Sequence, residues 1–330
     1  MDQRPVRRLL AAEPCLSRSH STTPGAPTGR GGGRSTPTCG TRTCCAWGWS
    51  APPNPTLDTL VALHKAQTAL VPYEVVWIAL GERRTVEPLD SVRYVVAGRG
   101  GYCYHLNGAL GCLLDWLGFD VHWRVGGVQG PQWAEPVGAN SNHLVIEVHG
   151  LPSPDCPDGV WVVDTGMGDA LHEPLPLVAG KYRQPPLELT LRPSDVVEGG
   201  WRLDHDDWAR CPGMDFAPYE ATVEDFLVEH EKQSTSPDSG FVRIAALCRR
   251  DGDSATVLRG LLLDRHSTAG DDRREIGSAG EYFATLADVF HLPLSDVDEE
   301  RKAALYRKVR ADHEEFLRSQ REQAQQEQAQ

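Results

Sequence analysis

The apolar pattern of this chain changes its period near Gly118, and that change limits the folds open to it. Before it, apolar residues recur every three or four positions. Leu57, Leu60, Val61 and Leu63 keep helical spacing behind Thr56, a residue suited to capping a helix N-terminus, and Pro72 ends the segment. A second helix is expected from Leu89 to Val96. Glycines between Gly98 and Gly101 break it, and a third runs from Tyr104 to Leu117. After Gly118 the period drops to two. Val121–Val125 and His143–Val148 alternate, Gly159–Asp164 is rich in β-branched residues, and Glu188–Leu191 and Trp201–Leu203 continue the pattern between turn residues. Helix returns at Val223–Glu231 and Glu281–Phe290, with strands expected at Phe241–Leu247 and Thr256–Asp264. From Ser295 onward the sequence reads as one charged helix with Leu305, Val309 and Phe316 on one side, fraying by about residue 320. Helices first, strands second and a mixture last predict an α+β protein rather than a doubly wound parallel sheet.

Residues 1–50 stand apart. They are rich in Arg, Gly, Ser, Thr and Pro, have almost no periodic apolar pattern, and read as a disordered or non-native N-terminal segment. The formal net charge of -13 disfavours nucleic acid or an anionic membrane as partner. No apolar run is long enough to span a bilayer, and Leu9–Ala12 is too short for a secretory signal. Of the 9 cysteines, Cys15, Cys39, Cys44 and Cys45 crowd the N-terminal segment and the rest are scattered without Cys-x-x-Cys pairing. That usage predicts a cytoplasmic protein with neither a disulfide framework nor a metal. Oligomeric state is not encoded in any pattern we can read.

The most informative stretch is Arg99-Gly100-Gly101-Tyr102-Cys103-Tyr104-His105-Leu106-Asn107. Two glycines free the backbone just before a cysteine that opens a helix. Unpaired N–H groups and the positive end of the helix dipole favour a thiolate there, and the same groups suit an oxyanion. A small buried cysteine after a glycine turn explains the stretch equally well. A catalytic thiolate, however, needs a base and an orienting partner. His143 starts one strand, and Asp164 ends the next before a glycine turn. Antiparallel pairing would bring the two together. Singly, His143 reads as a strand-edge histidine and Asp164 as a turn residue; the order Cys, His, Asp beside three structural breaks is what suggests a site.

These residues carry a family resemblance. Arg99-Gly100-Gly101-Tyr102-Cys103 resembles the Arg-Gly-Gly-aromatic-Cys motif of the arylamine N-acetyltransferases, His143 their strand histidine, and Val163-Asp164-Thr165-Gly166-Met167-Gly168 their aspartate motif. The segments around Pro55–His64, Val71–Glu74 and Thr235–Phe241 are also similar, so the resemblance covers Pro55 to Leu263. It implies a helical lobe with the nucleophile (51–118), an antiparallel β-barrel lobe with His and Asp (119–220), an α/β lid (221–295), and a charged C-terminal helix and tail (296–330). The core would be a papain-like or transglutaminase-like Cys-His-Asp arrangement. The implied chemistry, a part of xenobiotic metabolism, is ping-pong. Cys103 takes an acetyl group from acetyl-CoA, His143 acts as base, Asp164 orients it, and an arylamine, arylhydroxylamine or hydrazine accepts the group. The same resemblance places Asn140, Ser141 and Asn142 near the cofactor, and Met167 and Tyr73 near the acceptor. Departures are Met167 in place of an aromatic, Tyr73 in place of Phe, His105 where Glu or Gln is common, and a longer loop at 151–159. Two other chemistries fit the same triad: an amide synthase with a different acyl donor, and a thiol hydrolase. A binding protein that keeps the fold is the non-catalytic reading.

Overall fold

The computed structural model describes residues 53–209 and 211–328, so the expectation for residues 1–50 lies outside the described residues. The chain enters through helix α1 (Leu57–Leu70), whose first turn is capped by the Thr56 hydroxyl accepting from the Thr59 N–H. A two-residue strand β1 (Tyr73–Glu74), the short helix α2 (Val76–Ala79) and helix α3 (Pro88–Val96) follow. Helix α4 (Cys103–Trp116) is buried on nearly every side from Cys103 to Gly111. A helix apolar all round must lie inside the protein, and this one packs against β2 (Asp120–Gln129) and β3 (His143–His149).

The two-residue period of the next segment becomes an antiparallel sheet. Its remaining strands are β4 (Trp161–Val163), β5 (Leu175–Pro176), β6 (Gly180–Gln184), β7 (Leu187–Pro193), β8 (Trp201–Asp204) and β9 (Gly213–Glu220), in the order β5-β4-β3-β2-β9-β8-β7-β6. The two edge strands, β5 and β6, are joined directly through residues 177–179. That link spans at most about 15 Å. A flat sheet of this width would hold its edges about 34 Å apart. The sheet therefore curls into a nearly closed barrel, and Val145, Val162, Leu191, Leu203, Met214 and Phe216 fill it. The α+β class and the antiparallel barrel expected from the sequence are what the chain forms.

The last third begins with a 3-10 turn (Val223–Phe226) leading into helix α5 (Leu227–Thr235), then a short helix α6 (Gly240–Arg243). A second antiparallel sheet follows: β10 (Ala246–Arg250), β11 (Ser254–Arg259), β12 (Leu262–Ser267) and β13 (Asp272–Glu275). Its fifth strand is β1, with Tyr73 opposite Cys248. Helices α7 (Ala279–Asp288) and α8 (Glu299–Gln328) cover it, and Leu286, Leu305 and Val309 join the core beneath.

Three expectations need correction. Phe241 lies in a helical turn rather than a strand, because the Ser239 hydroxyl caps that turn by accepting from the Phe241 N–H. The run Thr256–Asp264 is a hairpin rather than one strand: Gly260 adopts φ +58, and Arg259 faces Leu262 across the turn. The final helix continues to Gln328 instead of fraying near 320. Its Glu, Gln and Arg residues are good helix formers, and ion pairs such as Lys308–Asp312 and Arg310–Glu314 span single turns.

Candidate active site

The loop before α4 is fixed by what surrounds its two glycines. A Cβ on Gly100 would stand 2.0 Å from the Pro72 carbonyl oxygen. The Gly101 carbonyl accepts from the Glu74 N–H at 2.8 Å. Arg84, almost wholly buried, donates to the Gly100 carbonyl (2.9 Å) and pairs with the buried Glu74 carboxylate (3.3 Å). Arg99 pairs with Glu82 and Asp296. The arginine and glycines of the motif thus hold the backbone so that the chain turns into a helix at Cys103.

β3 and β4 run antiparallel with Ile146 opposite Val163, so the start of β3 and the end of β4 lie at the same end of the barrel. His143 Nε2 meets Asp164 Oδ2 there at 2.7 Å. Oδ1 of Asp164 accepts from the Asn107 amide (2.8 Å) and the Gly166 N–H (2.7 Å). Burial alone would push the Asp164 carboxyl up. The His143 charge and these hydrogen bonds overcome it and hold the group below the usual carboxylate range. For His143, burial works against the cation, but the charges of Asp164 and Cys103 outweigh it and raise the imidazole to about 10. With Nε2 spent on Asp164, Nδ1 is the ring nitrogen left to serve the Cys103 side chain. Cys103 Sγ also lies 3.8 Å from the Asn142 carbonyl oxygen. A Cβ on Gly166 would stand 2.6 Å from Cys103 Cα, so only glycine lets the turn after Asp164 press against the start of α4. The structure brings Cys103, His143 and Asp164 together as a thiol, an imidazole and a carboxylate in series, all three nearly or fully buried.

Comparison with known proteins shows the family. A family model described as N-acetyltransferase matches residues 56–299. The arylamine N-acetyltransferase of Mycolicibacterium smegmatis is 30% identical over 259 residues, covering 74% of this chain and 88% of its own. The chain belongs to the arylamine N-acetyltransferase family. A second member, from Salmonella typhimurium, carries the name arylamine N-acetyltransferase / N-hydroxyarylamine O-acetyltransferase and is 26% identical over 252 residues, 74% of this chain and 85% of its own. Among solved structures, the Mycobacterium marinum arylamine N-acetyltransferase in complex with CoA superposes with a TM-score of 0.67 at 25% identity, over 78% of this chain and 94% of that one.

Against the family pattern, His105 is fully buried, stacks on Tyr102 with ring centres 5.0 Å apart, and is kept neutral by burial and by Arg84. It is a packing group. Tyr73 lies half-buried against Phe241; burial, then the charge of nearby Cys103, keeps its phenol protonated. Met167 is buried among the barrel residues Val145, Val162 and Leu171. Asn140 is exposed and its side chain accepts from the Asn142 N–H. Ser141 adopts φ +69, and its carbonyl accepts from the Tyr104 hydroxyl. The Asn142 amide is spent on the Val128 backbone, accepting at 2.7 Å and donating at 3.0 Å. Only the backbone of Asn142 therefore faces the thiol.

Sequence reasoning missed two residues beside the triad. Asn107, one turn beyond Cys103, donates to the Leu144 carbonyl and Asp164 and accepts from the Thr165 N–H, tying α4 to both barrel strands. Gln233 of α5 donates to the Asn142 carbonyl at 3.0 Å, the same oxygen that faces Cys103. Nothing in the local sequence marks either as more than a polar helix residue.

Proposed function

We propose that this chain transfers an acetyl group from acetyl-CoA, through a thioester on Cys103, to the nitrogen of an arylamine, arylhydroxylamine or hydrazine. The observation that carries this reading is the charged His143–Asp164 pair set against the thiol of Cys103. The thiolate attacks the acetyl carbonyl carbon and forms a tetrahedral oxyanion. Cys103 is the first residue of α4, so its N–H and that of Tyr104 lack intrahelical acceptors and suit that charge. Collapse expels the CoA thiolate, which takes the His143 proton. The acceptor nitrogen then attacks the thioester, His143 takes its proton, and the Cys103 thiolate leaves with the acetyl product free. Asp164 holds the imidazole in one tautomer and balances its charge throughout.

In this reading the segment 51–118 supplies the nucleophile, 119–220 the base and its partner, and 221–295 the cover through α5. Residues 140–142 and the side chains of Met167 and Tyr73 border the donor and acceptor. No helix among the described residues is long and apolar enough to cross a membrane, which fits work on small molecules in the cytoplasm. The test is to mix the protein with acetyl-CoA and a simple arylamine and follow release of CoA thiol. We expect release that depends on the acceptor and vanishes in Cys103→Ala. Acceptor-independent or absent release contradicts the proposal.

A further inference from the structure

We propose a divalent transition-metal site on the β2–β3 ribbon, formed by Asp120, His122 and His149. His149 is the last residue of the strand that His143 begins, so the site lies about 20 Å along the ribbon from the triad. Asp120 faces His149 directly across the antiparallel pair, and His122 is two residues along β2, on the same face. One donor atom from each residue lies within 4.8 Å of the other two.

One donor pair of the cluster already stands at ligand spacing. His122 Nε2 stands 3.3 Å from Asp120 Oδ1, yet this nitrogen is buried and has no hydrogen-bond partner. Tetrahedral zinc with bonds of about 2.05 Å would set adjacent ligand atoms about 3.3 Å apart. The other nitrogen of His122, Nδ1, is held by the Glu220 carboxylate. A proton on Nδ1 leaves the Nε2 lone pair aimed at a carboxylate oxygen, an arrangement that calls for a cation between them. His149 repeats the pattern: its Nε2 meets Glu147 at 2.9 Å, which leaves Nδ1 as the nitrogen with a free lone pair. A carboxylate behind each imidazole is the usual outer support of metal-binding histidines.

Those outer carboxylates are themselves anchored. Arg124 donates from Nε to Glu147 (3.0 Å) and pairs with Glu220 (2.9 Å), so the backing acids are fixed whether or not a metal is bound. The two imidazole rings lie 4.1 Å apart. Asp120 is exposed and both histidines are half-buried, so an ion can enter from solvent. Two imidazoles and one carboxylate select Zn2+, Cu2+ or Ni2+ over Mg2+ and Ca2+.

The experiment uses the full chain with all thiols first blocked by iodoacetamide, so that no cysteine binds metal. Zn2+ is titrated by calorimetry at pH 7.5. One equivalent is expected to bind, with affinity falling about 100-fold in His122→Ala and in His149→Ala, and about 10-fold or more in Glu220→Gln. Failure of the blocked protein to bind Zn2+, or unchanged affinity in both histidine variants, overturns the proposal. Paramagnetic resonance of the blocked protein loaded with Cu2+ gives an independent reading on unmodified sequence. Coupling to two imidazole nitrogens supports the site; a spectrum without nitrogen coupling overturns it.

Discussion

Asn107→Ala should damage the protein well beyond the loss of one side chain. The amide donates to the Leu144 carbonyl at 2.7 Å and to Asp164 at 2.8 Å, and accepts from the Thr165 N–H at 2.9 Å. The residue is fully buried. Truncation leaves the Leu144 carbonyl and the Thr165 N–H without this partner, at about 1–3 kcal/mol each. A water in the vacated space would bring the total toward the lower end, so a loss of about 3 kcal/mol is expected. For a domain of this size, at about 2.1 cal/mol/K of unfolding entropy per residue, that lowers Tm by about 5 °C. A second effect is local. Asp164 loses one of the hydrogen bonds that keep it ionised, and its hold on the His143 cation weakens. Calorimetry reads the first effect, and the rate of Cys103 alkylation by iodoacetamide at pH 6 reads the second. A Tm shift below about 2 °C together with an unchanged alkylation rate would refute the role assigned to Asn107.

Other outcomes follow from the same site. His143 is raised from 6.5 to about 10, so its contribution to stability is complete below pH 6.5 and is lost as pH rises toward 10. Asp164 is lowered, so its contribution is lost as pH falls below the usual carboxylate range. Urea unfolding of the wild type should weaken from pH 6.5 to 10, and His143→Gln should flatten that slope; an equal slope in both contradicts the charged pair. Because the imidazolium persists to about 10 beside Cys103, His143→Gln should slow alkylation of Cys103 by iodoacetamide at pH 8; an unchanged rate would contradict the pairing. Gly166→Ala puts a methyl 2.6 Å from Cys103 Cα, and kcat should fall about 100-fold; near-normal turnover contradicts the close approach. Glu74→Gln leaves Arg84 buried without that counter-charge and should cost about 3 kcal/mol in urea unfolding, whereas a change within about 0.5 kcal/mol contradicts the structural role given to this pair.

The triad was legible because each member sits beside a break the sequence announces: two glycines before Cys103, a strand start at His143, a glycine turn after Asp164. The antiparallel strands were legible from alternation, which β7 keeps with one face buried, whereas their closure into a barrel was implied by the resemblance. What was hidden depends on contacts distant in the chain. β1 is two residues long and pairs with Cys248 and Leu247, so no local period reveals it. Asn107 and Gln233 look like ordinary helix residues, and only the approach of the chain at 142–144 and of the turn after β4 gives their side chains these partners. The pairing of Asp120 with His149 is likewise set by strand register and leaves no mark in the local sequence. Arg99 entered only as part of the motif, and its ion pairs with Glu82 and Asp296 make it a brace for the loop.

The central claim is the acyl-enzyme on Cys103. Intact-protein mass spectrometry after mixing with acetyl-CoA, without acceptor, tests it directly. The account predicts one added acetyl group, mapped by peptide analysis to Cys103, absent in Cys103→Ala and discharged when an arylamine is added. No adduct, an adduct that persists in Cys103→Ala, or one that an arylamine leaves in place would contradict it.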